Sequence, residues 1–340
     1  MSRSFLLILS AKNSVRHAFS LALCCALLSL HANAAAEWAG EARPLMGTEV
    51  SVYLWHRDEA RARELIDLVF AEASRIDRLM STYKEDSLIS AVNRDAAAGP
   101  VYAGDELFDL VQRALDISVL TRGAFDITYD SVGQHYDFRS RQRPDEATIA
   151  AEREYVDYRL VRLDPVASTI HFLKQGVRIN LGGIAKGYVV ERGIDILRQH
   201  GVENAIVTAG GDSRMLGDRR GRPFIVGIRD PRKDGEVAIS VPLEDEAVST
   251  SGDYERFFDE EGVRYHHIIQ PSTGNPAGGV TSATVIGPDA VMTDALSTSV
   301  FVMGVDLGLR LIGGLPDYES IVIDADGKLY YSDGLAPPGT

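Results

Sequence analysis

Short apolar segments, many of them joined to their neighbours by short turns, outnumber the helical patterns in this chain. TEVSVYLW (48–55) alternates apolar and polar residues at the two-residue period of a half-buried strand. Strands are also read at DYRLVRLD (157–164), STIHFLK (168–174), VRINL (177–181), NAIVTA (204–209), PFIVGIR (223–229), VAISVPL (237–243), VRYHHIIQ (263–270) and TSATVIG (281–287). ESIVID and KLYYS flank an Asp326-Gly327 turn as a last pair. Against these stand helical patterns at 57–81, at 105–123 and 183–201, closed by Gly123 and Gly201, and at 288–304, with Pro288 early and Gly304 at its end. Strands in the majority predict an α+β fold of antiparallel sheets with packed helices, not a doubly wound parallel sheet.

The first 36 residues read differently. Arg3, Lys12 and Arg16 supply positive charge, and no Asp or Glu precedes Glu37. The apolar run AFSLALCCALLSL (18–30) is followed by ANAAAE. This pattern predicts a secretory signal peptide over 1–36, with cleavage after Ala34 or Ala36 and one domain over 37–340. The run is too short to span a bilayer comfortably. Both cysteines, Cys24 and Cys25, fall inside it, so the mature chain would have no thiol, disulfide or sulfur metal ligand. Leu23 precedes Cys24, where a lipoprotein site wants a small residue, so a lipid anchor is not supported. The formal charge of −14 deepens once three cations are removed. Such a surface repels polyanions and argues against nucleic acid as a partner. A phosphate ligand would need a metal or backbone amides to hold it. The polar stretch RSRQRPDEAT (139–148) marks a candidate internal boundary.

Several stretches offer chemistry. Asp294 and Thr298 lie four apart on a predicted helix and share one face, with Ser297 close by. These are hard oxygen ligands of the kind Mg²⁺ prefers, and equally an acid and hydroxyls on an ordinary helix surface. NLGGIAKG (180–187) passes from strand to helix; its glycines would serve a phosphate cradle or close packing of helix on sheet. NAIVTAGGDS (204–213) ends in Gly-Gly-Asp and reads as a turn. In GAFDIT, Phe125 and Asp126 could present a ring and a carboxylate, or be a buried Phe beside a capping Asp. Met46 in LMGTEV could pack on a flat ring or fill core. TSGDYERFF (250–258) is a turn with aromatic neighbours. In YHHIIQPSTGNP (265–276), His266 and His267 face opposite ways along a strand, so only one can line a pocket and move a proton.

Taken in order, MGTEV, MSTYKEDSLISAVN, GAFDIT, NLGGIAKGY, AGGDSRMLG, STSGDYERFF, YHHIIQPSTGNP and TDALSTSVFVMG resemble the ApbE-type family of FAD:protein FMN transferases, over residues 43 to 304. The resemblance implies a T-fold-like α+β architecture. It also implies an activity: FAD is split at its pyrophosphate, FMN passes to a Thr or Ser of a partner flavoprotein with Mg²⁺, and AMP leaves. By position it assigns the metal to Asp294, Thr298 and a backbone carbonyl near Gly183 or Ala185, with Ser297 weaker. It assigns flavin and adenine contacts to Met46, Tyr83, Ala124, Phe125, Asp126, Asn180, Lys186 and Ile268, and proton transfer to His267. The implied acceptor is a periplasm-facing flavoprotein subunit of a membrane electron-transfer complex, and the implied location is the periplasm. Two alternatives use the same residues: a FAD pyrophosphatase giving FMN and AMP, and a non-catalytic periplasmic flavin-binding protein. Many relatives have Asp at the position of Asn180, and the segment YDSVGQHYDFRSRQRP departs from the family pattern.

Overall fold

The computed structural model describes residues 37–335, and the expected signal peptide lies outside them. Among the described residues, eight strands form one sheet. They are β1 (Glu37–Leu45), β2 (Thr48–His56), β3 (Ala205–Ala209), β4 (Asp212–Leu216), β5 (Ala247–Gly252), β6 (Val280–Gly287), β7 (Glu319–Asp324) and β8 (Leu329–Tyr331). Their spatial order follows the chain from β1 to β8, and every neighbouring pair is antiparallel. The expected antiparallel α+β class is what the chain adopts.

Four long helices pack on this frame: α1 (Glu59–Met80), α2 (Gly104–Leu120), α3 (Ala185–Gln199) and α4 (Ala290–Met303). α1 and α3 bury Leu65, Val69, Phe70, Val190, Ile194 and Leu197 against Val50, Val52, Leu54 and Val207 of the sheet. α4 packs Leu296, Val300 and Phe301 onto Ala283 and Val285 of β6. On the opposite face, the hairpin Phe224–Arg229/Val237–Leu243 lays Phe224, Ile228, Val241 and Leu243 over Met215, Val248 and Ile286. All eight residues of β6 are therefore buried. A strand covered on both faces has no reason to alternate.

The helix starts follow side-chain capping. Asp58 accepts from the N–H groups of Ala60 and Arg61, and Asp289 from that of Met292 at 3.0 Å. α4 thus begins two residues later than the sequence suggested, with Pro288 just before its cap, and it ends at Gly304 with φ 78°. VRINL is not a strand. Its backbone bonds go to side chains instead: Asn93 accepts from Ile179 N–H at 2.8 Å and donates to Ile179 O at 2.9 Å, and Ser131 accepts from Arg178 N–H. DYRLVRLD opens with a 3₁₀ turn, Tyr158–Leu160, before the strand Val161–Asp164. The segment 139–148 is no boundary, since Asp137 and Gln142 exchange two backbone hydrogen bonds and Asp145 caps the helix Glu146–Glu152.

α3 crosses α4 at a glycine. A Cβ on Gly187 would lie 2.1 Å from Ala290 O and 2.8 Å from Asp294 Cβ. Gly187→Ala must force the two helices apart, at a cost of about 1–3 kcal/mol. The denaturation midpoint of G187A should fall accordingly; an unchanged midpoint would show that this crossing is not close-packed.

Candidate active site

One end of the sheet opens into a cavity of about 350 Å³. Its walls are chain reversals and element ends: the Met46–Gly47 turn of β1–β2, the Gly210–Gly211 turn of β3–β4, and the end of β5 at Thr250–Gly252. The loop 124–130, the run Asn180–Lys186 entering α3, one turn of α4, and residues 267–271 complete it. Met46 (φ 54°) and Gly47 (φ 70°) both take positive φ, as a two-residue hairpin turn with native twist requires. A methionine held in that conformation stores strain at the cavity lip. Met46, Tyr83, Ala124, Phe125, Asp126, Asn180, Gly183, Ala185, Lys186, His267, Ile268, Asp294 and Thr298 all line this one cavity. Ser297 does not: its hydroxyl donates to Asp294 O at 2.9 Å and meets Ser251 Oγ at 2.9 Å in the seam between α4 and β5.

At the cavity floor, the half-buried Lys186 ammonium pairs closely with Asp212 and lies 3.4 Å from Asp294 Oδ1. Asp294 Oδ2 accepts the Gly187 N–H at 2.9 Å. Both carboxylates are buried, and Asp212 Oδ1 has no hydrogen-bond partner. Burial, and then the charge of Asp212, push the Asp294 carboxyl well above its usual range, against the pull of Lys186. Burial alone would lower the Lys186 ammonium, yet Asp212 and Asp294 outweigh it and hold the group above its ordinary value.

One ammonium facing two enclosed carboxylates leaves the floor with more acidic than basic groups. Thr298 Oγ1 stands beside Asp294 on the same face, 3.1 Å from Ser251 Oγ. It lies 3.5 Å from where a Cβ on Gly183 would sit, so no side chain separates the 183 backbone from that hydroxyl. A carboxylate, a hydroxyl and nearby carbonyls are a hard, all-oxygen donor set that fits a small divalent cation. No group of three or more His, Cys, Asp or Glu side chains placed to hold a metal ion occurs among the described residues, so hydroxyl and carbonyl oxygens would have to complete the set.

The two histidines separate as the strand geometry demands. The strand Val263–His266 ends one residue before His267, not at 270. His266 is buried, its Nε2 bonded to Ala277 O at 2.8 Å and its ring edge-on to Phe301. His267 turns into the cavity with its Nδ1 enclosed and unpartnered. Burial, reinforced by the charge of Arg256, drives the His267 pKa down to about 3. The ring is neutral at neutral pH and carries a free acceptor or donor nitrogen, whichever tautomer it holds.

Around the upper wall, Phe125 is buried beneath Gly183. Asp126 lines the cavity, but its carboxylate is committed inward: Oδ1 accepts from Thr128 N–H and Oγ1, and Oδ2 from Tyr158 N–H. Asn180 donates to Thr82 Oγ1 at 3.2 Å and to Asp130 Oδ1 at 3.0 Å, and accepts from Gly182 N–H. An aspartate there would lose both donated bonds and face Asp130. The glycine run offers fewer free amides than a phosphate cradle needs, because Gly182, Ala185 and Gly187 N–H groups are already bonded internally. Tyr83 is exposed at the rim. Sequence reasoning missed Tyr129, Asp130, Ser251 and Arg256 as wall residues, and Asp212 as the partner of Lys186 behind the wall. Asp212 and Arg256 lay within AGGDS and TSGDYERFF, stretches that carry part of the family resemblance but whose own residues read as turns.

The family model described as the ApbE family matches residues 46–322. The chain belongs to the ApbE family. The FAD:protein FMN transferase of Treponema pallidum is 31% identical over 297 residues, covering 82% of each chain. Among solved structures, the ApbE protein of Thermotoga maritima superposes with a TM-score of 0.81 at 33% identity, covering 88% of this chain and 98% of that one. The flavin transferase ApbE of Vibrio cholerae gives 0.78 at 29% identity, over 88% and 98%. The ApbE fold is thus the architecture expected from the sequence.

The depressed His267 pKa makes a stability prediction. The unfolded chain binds a proton on this ring near pH 6.5, and the native ring only near 3. Between those values the unfolded state holds more protons, so native stability falls as pH drops. His267→Asn should flatten the fall of stability from pH 6.5 to 4, by at most about 1.4 kcal/mol per pH unit. Parallel wild-type and variant curves would show that the ring is not held neutral.

Proposed function

We propose that this chain is a FAD:protein FMN transferase that uses Mg²⁺ to move FMN from FAD onto a Thr or Ser hydroxyl of a partner flavoprotein, releasing AMP. The observation that carries this reading is the meeting, in one cavity of an ApbE-family chain, of an enclosed neutral histidine and a floor where two carboxylates outnumber one ammonium.

In the reaction, the acceptor oxygen forms a bond to the FMN phosphorus as the bond from that phosphorus to the AMP oxygen breaks. The hydroxyl proton passes to the cavity-facing side of the His267 imidazole, and AMP leaves carrying the displaced electron pair. A pyrophosphate entering beside His267 raises its pKa from the resting value toward a useful range, because a nearby anion favours the charged ring. Lys186 fixes Asp212 and Asp294 in place, and the Gly187 N–H fixes one oxygen of Asp294. When bound, Mg²⁺ held by Asp294, Thr298 and a carbonyl at Gly183 or Ala185 would neutralise charge on the phosphoryl oxygens. Phe125, Ile268 and Met46 supply apolar surface for the flavin ring. The signal-peptide pattern at the N-terminus supports export, and so an acceptor facing the periplasm.

The test is incubation of the mature protein with FAD, Mg²⁺ and an unmodified soluble domain of a flavoprotein whose Thr or Ser hydroxyl is the site of FMN attachment. A mass increase of one FMN on the acceptor with equimolar AMP is expected. His267→Ala should slow adduct formation by about 10²–10⁴-fold while FAD still binds. Free FMN at a rate indifferent to the acceptor would instead make the chain a pyrophosphatase. Bound flavin with no AMP under any metal would make it a carrier.

A further inference from the structure

We propose that the short basic finger Asp137–Arg143, beside the cavity, docks an acidic stretch of the protein acceptor; this rests on the transferase reading above.

The finger is built, not loose. Asp137 and Gln142 exchange backbone hydrogen bonds at 2.9 Å in both directions. Asp137 Oδ1 accepts from the N–H groups of Arg139 and Ser140, at 2.9 and 3.0 Å, and Arg141 turns the tip with φ 53°. Its root belongs to the cavity wall. Phe138 lines the cavity, stacks on Tyr136 with centroids 5.8 Å apart, and leans on Phe258 at 6.2 Å. Arg143 is committed at the base, to Glu260 at 2.6 Å and over the Tyr265 ring at 4.8 Å.

The tip is different. Arg139, Ser140 and Arg141 are exposed, and neither arginine makes an ion pair among the described residues. Three arginines stand against one aspartate between 137 and 143, on a chain of net charge −14. That overall charge repels an extended polyanion such as nucleic acid. A short acidic segment close to the tip feels the two guanidinium groups far more strongly, since charges beyond about 8 Å are screened at physiological salt. Paired guanidinium groups suit carboxylates through bidentate hydrogen bonds. Neither tip arginine lines the cavity. The partner that must approach this rim is the protein bearing the acceptor hydroxyl.

The experiment compares R139E/R141E with R219E/R222E. The second pair makes the same charge change in the loop after β4, at the strand end away from the Gly210–Gly211 turn. At low ionic strength the finger variant should raise the KM for the acceptor domain about tenfold or more, and lose most of that effect at high salt. Its KM for FAD should stay unchanged, which also shows that it folds. The control pair should move acceptor KM little. Equal shifts in both variants, or none in the finger variant, overturn the docking proposal while wild-type transfer stands. A wild-type protein that forms no FMN adduct removes the transferase reading, and the docking proposal with it.

Discussion

A single ammonium between two enclosed carboxylates organises this molecule. Lys186 comes from the first turn of α3, Asp212 opens β4, and Asp294 lies on α4. The contact therefore joins two helices and the middle of the sheet at one point. A buried charge network of this kind is weak as a source of stability, because desolvating three ionic groups consumes most of their mutual attraction. Its effect is positional. It aims the Asp294 carboxylate at the cavity floor, and the missing Cβ of Gly187 lets α4 come close enough for a backbone N–H to hold the other oxygen.

An acidic protein that handles a dinucleotide faces an electrostatic conflict, and the cavity shows how its parts answer it. The glycine run spends most of its amides internally, and Lys186 is engaged by its own carboxylates. Arg256 lines the wall beside His267, where its guanidinium donates to Gly47 O at 3.2 Å. Neutralising a pyrophosphate with so few uncommitted cations is the physical reason to propose a bound divalent ion. The same scarcity makes the exposed arginines of the 137–143 finger conspicuous.

Much of the frame was legible because its physics is local. Helix α1 follows from its apolar spacing, and the last hairpin from its Asp-Gly turn. What escaped was set by long-range contacts. AVSTSG of β5 carries no alternating pattern because its hydroxyls pair across to Thr284, Thr293 and Ser297 in a polar seam. DSRML of β4 is buried throughout, so it too lacks a period of two. VRINL resembles a strand but satisfies its backbone with Asn93 and Ser131, which no window of sequence reveals. The site was readable as an ordered set of motifs; the partners that give it charge, Asp212 and Arg256, were not, since a turn residue shows its chemistry only once its neighbours are in place. Asp126 is the converse case, a cavity residue whose carboxylate serves a 3₁₀ cap.

The central claim is that the floor at Asp294, where two acidic groups face one ammonium, takes up a divalent cation together with the dinucleotide. Calorimetric titration of Mg²⁺ into the FAD-loaded protein tests it directly, without relying on turnover. The account predicts one Mg²⁺ per chain for the wild type, and for Asp294→Asn an affinity at least tenfold weaker with FAD still bound. Indistinguishable Mg²⁺ isotherms for the two proteins would contradict it.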